Sequence, residues 1–339
     1  MADKSVLRVA FAGFRHGHIF DLYNAVAGRD DLEIVACCEE DAGVRDELAK
    51  GGRINITHSK FNDLLSDASF DVLAVGDVYA KRGEMVIKAL RSGKHVVSDK
   101  PICTTLEQIA EIAKLCKDKN LCLGMQLDLR SYGVYHTMRK IIRDGRIGQV
   151  LSASFTGQHP LNPKVRPAWY FEDGMHGGTI NDIAIHGMDM LPWMTGLTIL
   201  KPVCARVWNS HCDLNKNFQD GAQLMLEMEN RVGVLADVSY HSPDHAKGMP
   251  PQYWRFTVFG SAGLAETSLI QKDVIVIEKD NPQLQRISGD EDVKWRYLSD
   301  FLACIAGTAD HGMLTTKDII AATEMSLKTQ QLADSSSAR

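Results

Sequence analysis

The sequence predicts an α/β protein made of two units: a doubly wound parallel sheet first, then an α+β unit on a large, mostly antiparallel sheet. Three observations carry this. Up to about residue 125, short β-rich runs alternate with helix-like stretches, and repeated β-α-β order implies parallel strands with helices on both faces. After about residue 150, strand-like segments follow one another with few helices between them. The chain has 339 residues, long for one core and comfortable for two.

The elements follow in order. "VLRVAFA" (6–12) is an apolar run that reads as a buried strand. Ile19, Leu22, Tyr23 and Val26 then recur at i, i+3, i+4, i+7, the stripe of a helix. "LEIVACC" (32–38), "DVLAVG" (71–76), "KHVVS" (94–98) and "LCLGM" (121–125) read as further strands, with helices near 42–50, 61–67, 80–92 and 104–119. The last of these opens with Thr104-x-x-Glu107, a capping-box pattern. A helix over 131–144 leads into the second unit. There, strands are expected at 150–158, 203–209, 222–229, 232–240, 254–259, 264–269 and 273–278, and helices at 293–306 and 316–332. "MENRVG" (228–233) and "GSAG" (260–263) read as hairpin turns. This divides the chain into 1–125, 126–332 and a frayed tail, 333–339. Segment 157–178, rich in Pro, Gly and aromatics, reads as a long functional loop.

Bulk composition narrows the function. Hydrophobic residues make up 45% and charged residues 24%, the balance of a soluble globular protein. A net charge of −5 gives no reason to expect nucleic acid or an anionic membrane as partner. "MADKSVLRVAFAG" enters a strand without the pattern of a secretion signal, and no apolar run approaches the roughly 20 residues that span a bilayer. None of the eight cysteines forms C-x-x-C, so reduced core thiols in a cytoplasmic protein are expected. "HSPDH" (241–245) and His176 invite a metal reading, but their spacing fits a loop better; no metal is expected.

"FAGFRHGHIF" (11–20) stands where a dinucleotide-binding protein holds its phosphate loop. Gly13 fills the place of the first glycine, which permits the tight turn. Arg15 and His18 replace the second and third, and Gly17 comes one residue early. Glu39 follows the second strand, 26 residues after Gly13, near the ~20 expected of a ribose-binding carboxylate. A carboxylate there favours NAD(H) over NADP(H), whereas the Arg15 guanidinium suits phosphate. Glu39 and Glu40 read equally as solvated strand-end charges.

Two later stretches carry chemistry. In "KHVVSDKP" (94–101), Lys100 follows a strand at its carboxyl end, where ligands of such sheets bind; alone it also reads as a turn residue. In "GGTINDIAIHGMDMLPWMTG" (177–196), Asp182, His186 and Asp189 recur at i, i+4, i+7, a polar stripe on a helix otherwise fit for burial. His186 can exchange protons near neutral pH, and Asp182, one turn away, can orient it or hold a substrate hydroxyl. Gly177-Gly178 would let a ligand approach closely. Alternatively, Thr179 and Asp182 cap the helix and His186 is a core histidine.

"DKP" and "GG…D…H…D…G" together resemble signatures of the Gfo/Idh/MocA oxidoreductase family. "FDVLAVGDVYAKRGEMVIKALRSGKHVVSDKP" (70–101) and "IIRDGRIGQVLSASF" (141–155) extend the resemblance. It implies a Rossmann domain followed by a domain on a large open sheet, through which members form homo-oligomers, dimers or tetramers. It implies an NAD(P)-dependent dehydrogenase acting on CH–OH groups of a sugar, cyclitol or related polyol. By matching, Lys100, Asp182 and His186 are the catalytic set. Gly13, Phe14, Arg15, His16, Gly17, His18, Glu39, Asp77, Tyr79, Asp99, Lys100 and Gln126 border the cofactor. Arg166, Trp169, Tyr170 and Asp182 border the substrate. The family's T-P-N is replaced here by Asp77-Val78-Tyr79, and an Arg15–Asp77 pair is expected to offset the extra anion. Two other readings stay open: NAD-dependent glycoside cleavage through transient oxidation, and a non-catalytic binding or regulatory protein with a degenerate loop.

Overall fold

The computed structural model describes residues 6–337. The first unit runs β1 (Leu7–Ala12), α1 (His18–Ala27), β2 (Leu32–Cys38), α2 (Ala42–Gly51), α3 (Phe61–Asp67), β3 (Val72–Val75), α4 (Tyr79–Arg91), β4 (His95–Ser98), α5 (Leu106–Lys119) and β5 (Leu123–Met125). The five strands form one parallel sheet in the order β2-β1-β3-β4-β5. A lone parallel bridge from Cys38 to His58 extends it beyond β2. With that bridge counted as a strand, the order is the 3-2-1-4-5-6 of dinucleotide-binding sheets, and the switch point lies between β1 and β3. The strands are almost wholly buried, which is why they read as unbroken apolar runs.

The cap of α5 lies one residue later than the sequence pattern suggests. Thr105 is the N-cap, its hydroxyl accepting from the Gln108 amide, and the Gln108 side chain returns to the Thr104 amide. Thr105-x-x-Gln108 satisfies the same S/T-x-x-E/Q logic as Thr104-x-x-Glu107.

Helix α6 (Gly133–Arg143) leads to β6 (Val150–Pro160), a helical segment ending in α7 (Ile185–Thr195), and then β7 (Ile199–Trp208), β8 (Gly221–Met228), β9 (Val232–Ser242), β10 (Arg255–Gly260), β11 (Gly263–Thr267), β12 (Asp273–Glu278) and β13 (Asn281–Ser288). The sheet order is β13-β12-β11-β10-β6-β9-β8-β7, antiparallel except for β6 with β9. The expected hairpins join β8 to β9 and β10 to β11. Strand β13 had no sequence signal: "NPQLQRIS" is an edge strand exposed along most of its length, so no apolar run marks it. Helices α8 (Arg296–Ile305) and α9 (Thr316–Ser337) close the chain. Helix α9 runs into the expected tail as far as Ser337; residues 338–339 lie outside the described part.

Along β9, residues alternate between buried and exposed, so one face of the sheet packs inward and the other stays open. Met225 and Leu235, paired across β8 and β9, lie exposed on the open side. The eight cysteines are free thiols; five are buried and Cys204 is exposed. Burial pushes the thiols of Cys37, Cys38, Cys103 and Cys116 up to about 12, so they are inert packing groups.

Candidate active site

The carboxyl ends of all five parallel strands deliver polar side chains to one region: the 13–18 loop after β1, Glu39 after β2, Asp77 after β3, Asp99-Lys100 after β4 and Gln126 after β5. Gly13 sits at the switch point with φ +81°, and a Cβ there would lie 2.6 Å from Asp77. Only glycine fits, because β1 and β3 exit side by side.

The loop is held by its exceptions to the glycine pattern. His16 Nδ1 lies 2.6 Å from one Asp99 oxygen, and His18 Nδ1 lies 3.1 Å from the other. Arg82, fully buried in α4, donates to Asp99 and to the carbonyls of Asp77, Lys100 and Pro101. Burial pushes the Asp99 carboxyl up, but Arg82, His16 and His18 overcome it and hold it well below the usual range. Burial draws His16 down to about 4 against the pull of Asp99, so the ring is neutral at pH 7. The Tyr79 hydroxyl meets its other nitrogen at 3.1 Å.

The expected Arg15–Asp77 pair is not formed. Arg15 lies 3.5 Å from Asp41, a partly exposed contact of little energetic weight. The Asp77 carboxylate turns back onto the Val78 amide at 2.6 Å, so a local hydrogen bond replaces the distant guanidinium. Glu39 is fully buried rather than solvated, and accepts from the amides of Phe14 and Asp41. Burial raises its carboxyl, against the pull of those two N–H groups.

At the mouth of β4 the ammonium of Lys100 donates to the Asp182 carboxylate at 2.7 Å and to the Asp182 backbone carbonyl at 2.8 Å. Both side chains are nearly inaccessible. Asp182 lies in a π-helical turn, Ile180–Ala184, that opens the segment before α7, and such turns gather at functional sites. Its second oxygen receives the hydroxyls of Tyr170 and Tyr240, with His176 at 3.5 Å. Burial raises the Asp182 carboxyl, but Lys100 and His176 hold it well below the usual range. Asp182 therefore stays ionised and keeps an ammonium in place inside the protein.

His186 lies one turn on, with its ring 4.5 Å from Trp254. Burial, then Lys100, pushes its pKa well below 6.5, and its Nδ1 has no hydrogen-bond partner among the described residues. Of the two roles expected of Asp182, orienting this ring is not seen, since its oxygens serve Lys100 and the two tyrosines. His186 is thus a neutral imidazole with an unused nitrogen beside a buried ammonium.

The 157–178 segment folds over this centre. Tyr170 reaches Asp182, Arg166 stacks 4.4 Å over the Tyr170 ring, and Trp169 donates its indole N–H to the Arg15 carbonyl at 3.1 Å. Two readings change. Asp189 does not join the centre; Arg130 grips it through two hydrogen bonds, a buried structural pair. Gly177 and Gly178, with φ +79° and +93°, are crowded by Thr104 and Gln330 rather than left open for a ligand. A cleft of about 410 Å³ runs past Tyr170 and His176 between Thr104 and Asn217. Sequence reasoning missed Tyr240 and Arg82, and took His176 only as a metal candidate. Nothing local marks Tyr240; β9 brings it in from 58 residues beyond Asp182.

Residues 7–127 match the family model "Oxidoreductase family, NAD-binding Rossmann fold", and residues 135–266 match "GFO/IDH/MocA C-terminal domain". The chain belongs to the Gfo/Idh/MocA oxidoreductase family. It is similar to 1,5-anhydro-D-fructose reductase of Ensifer adhaerens, 29% identical over 47% of this chain and 48% of that one. It is also similar to inositol 2-dehydrogenase 2 of Saccharopolyspora erythraea, 27% identical over 65% and 61%. The match to the first thus spans about half of that relative's length. The fold is that of an inositol dehydrogenase homolog complexed with NAD+ from Azotobacter vinelandii: TM-score 0.79, 17% identity, 99% of this chain and 98% of the other. Among the described residues, no helix is long and apolar enough to cross a membrane.

Proposed function

We propose that this chain is an NAD(P)-dependent dehydrogenase or reductase acting on a hydroxyl carbon of a sugar, cyclitol or related polyol, with NAD(H) preferred. The observation that carries it is the buried Lys100–Asp182 pair beside the neutral His186, at the carboxyl edge of the parallel sheet. A dinucleotide fits this edge: Gly13 leaves the turn without a Cβ, and Gln126 Oε1 and His186 Nδ1 are buried polar atoms without partners among the described residues. Gly13, Phe14, Arg15, His16, Gly17, His18, Glu39, Asp77, Tyr79, Asp99 and Gln126 would border it. A bound nicotinamide would supply the hydride acceptor.

The protein's own groups do the rest. In the oxidising direction His186 accepts the hydroxyl proton as the carbon gives up hydride, leaving a carbonyl. The Lys100 ammonium stabilises negative charge developing on that oxygen. Asp182 holds the Lys100 side chain in place, with Tyr170 and Tyr240 fixing the carboxylate. Arg166, Trp169 and Tyr170 border the substrate. Residues 1–125 form the cofactor unit and 126–332 the substrate unit of a cytoplasmic homo-oligomer joined through the open sheet face, where Met225 and Leu235 lie exposed.

Calorimetric titration with NADH and, separately, NADPH tests this. Micromolar binding of NADH, and weaker binding of NADPH, is the expected result. No binding of either by folded protein would favour the non-catalytic binding reading instead.

A further inference from the structure

On the far side of β9 from Tyr240, three metal-ligating groups converge. Asp220 precedes β8 and is fully buried; its amide donates to the Trp208 carbonyl and its carbonyl accepts from the Tyr240 amide, so both neighbouring strands hold it. Its carboxylate receives the amides of Ser210, His211 and Cys212, which fix the plane of the group. His241, in β9, places Nε2 at 3.1 Å from one oxygen, and His211 places Nδ1 at 3.1 Å from the other. The two rings are 5.5 Å apart, and the three ligand atoms lie within 4.8 Å of one another. Asn209 staples the 209–217 turn through the carbonyls of Cys212 and Asn215, and so holds His211 over the carboxylate. Gly221 makes room: a Cβ there would meet Trp208 at 2.6 Å and His241 at 2.8 Å.

We propose that His211, Asp220 and His241 bind a divalent transition metal of the zinc class. Bonds of about 2.0–2.2 Å from one ion to imidazole nitrogen and carboxylate oxygen, at roughly tetrahedral to right angles, separate the ligand atoms by about 3.0–3.5 Å. The two 3.1 Å spacings lie in that range, each nitrogen to its own carboxylate oxygen, so an ion would sit between the two imidazoles and both oxygens of Asp220. Two imidazoles and one carboxylate suit zinc, nickel or copper, whereas magnesium and calcium prefer oxygen. His211 is about half exposed and His241 one-third exposed, so the remaining positions would face water. The backbone N–H groups anchor the carboxylate, and an ion would take over only the lone pairs that the two imidazoles now use. Bound there, it would tie the 209–219 loop to β9, next to the tyrosine that holds Asp182.

The test is calorimetric titration of untagged, chelator-treated full-length protein with Zn2+ at pH 7. One ion per chain with micromolar affinity is expected. His211→Ala and His241→Ala, at accessible positions that keep the Asp220 anchor, should each weaken binding at least tenfold. His18→Ala, which breaks the other His/Asp group at Asp99, should leave it unchanged. Replacing Zn2+ with Co2+ should give visible absorption bands that both histidine variants lose. No binding by the natural chain, or unchanged binding in both variants, overturns the proposal.

Discussion

The Lys100–Asp182 pair makes a quantitative prediction, because two opposite charges meet there at 2.7 Å, almost out of reach of water. Asp182→Asn keeps the shape and an oxygen for the two tyrosine hydroxyls, but leaves the Lys100 ammonium without its counter-charge in a site where the two side chains are only 8% and 4% exposed. At 2.7 Å and an effective dielectric near 20, the attraction is roughly 6 kcal/mol. Desolvation of both ions offsets much of this in the native protein, so the pair's net worth is small. Removing one partner loses the attraction while the other ion stays buried, a cost of about 3–5 kcal/mol. Urea unfolding at pH 7 reads it directly. Lys100→Met with Asp182→Asn removes both charges and should recover at least about 2 kcal/mol relative to the sum of the single losses. Strict additivity, or a loss under about 1 kcal/mol for Asp182→Asn alone, would refute the coupling.

Two further predictions concern histidines. His186→Asn keeps a polar group but loses the proton acceptor; kcat should fall about 10²–10⁴-fold while NADH affinity by calorimetry stays within about threefold, and parallel losses would remove its assigned role. His159 is partly exposed, yet its Nδ1 is shielded and unpartnered among the described residues, and burial draws its pKa down to about 3. The folded state therefore resists a proton that the unfolded chain takes up below about 6.5. Its share of stability is present above that pH and lost as pH falls toward 3, by at most about 2 kcal/mol between pH 7 and pH 5. His159→Gln should shrink the shift in urea midpoint between those two pH values, and an unchanged shift would rule this account out.

The groups that were legible in the sequence and those that were not differ in one physical respect. Lys100 could be read because it directly follows a buried strand, and strand ends in a parallel sheet have a fixed destination. Asp182 and His186 could be read because polar side chains on an apolar helix have to answer to something. What they answer to was not readable, since it depends on chain geometry without a local signature. The segment opens with a π-helical turn, so Asp182 reaches Lys100 and the tyrosines while His186 meets Trp254. The same holds for the replaced glycines. Arg15 and His18 look like lost phosphate contacts when the loop is read alone. Across the sheet, His16 and His18 prove to be partners of Asp99, a residue more than 80 positions away that immediately precedes Lys100. The altered loop and the buried lysine are therefore one connected structure. A change at His18 should be felt at the site through Asp99, even though the sequence places the two in different motifs.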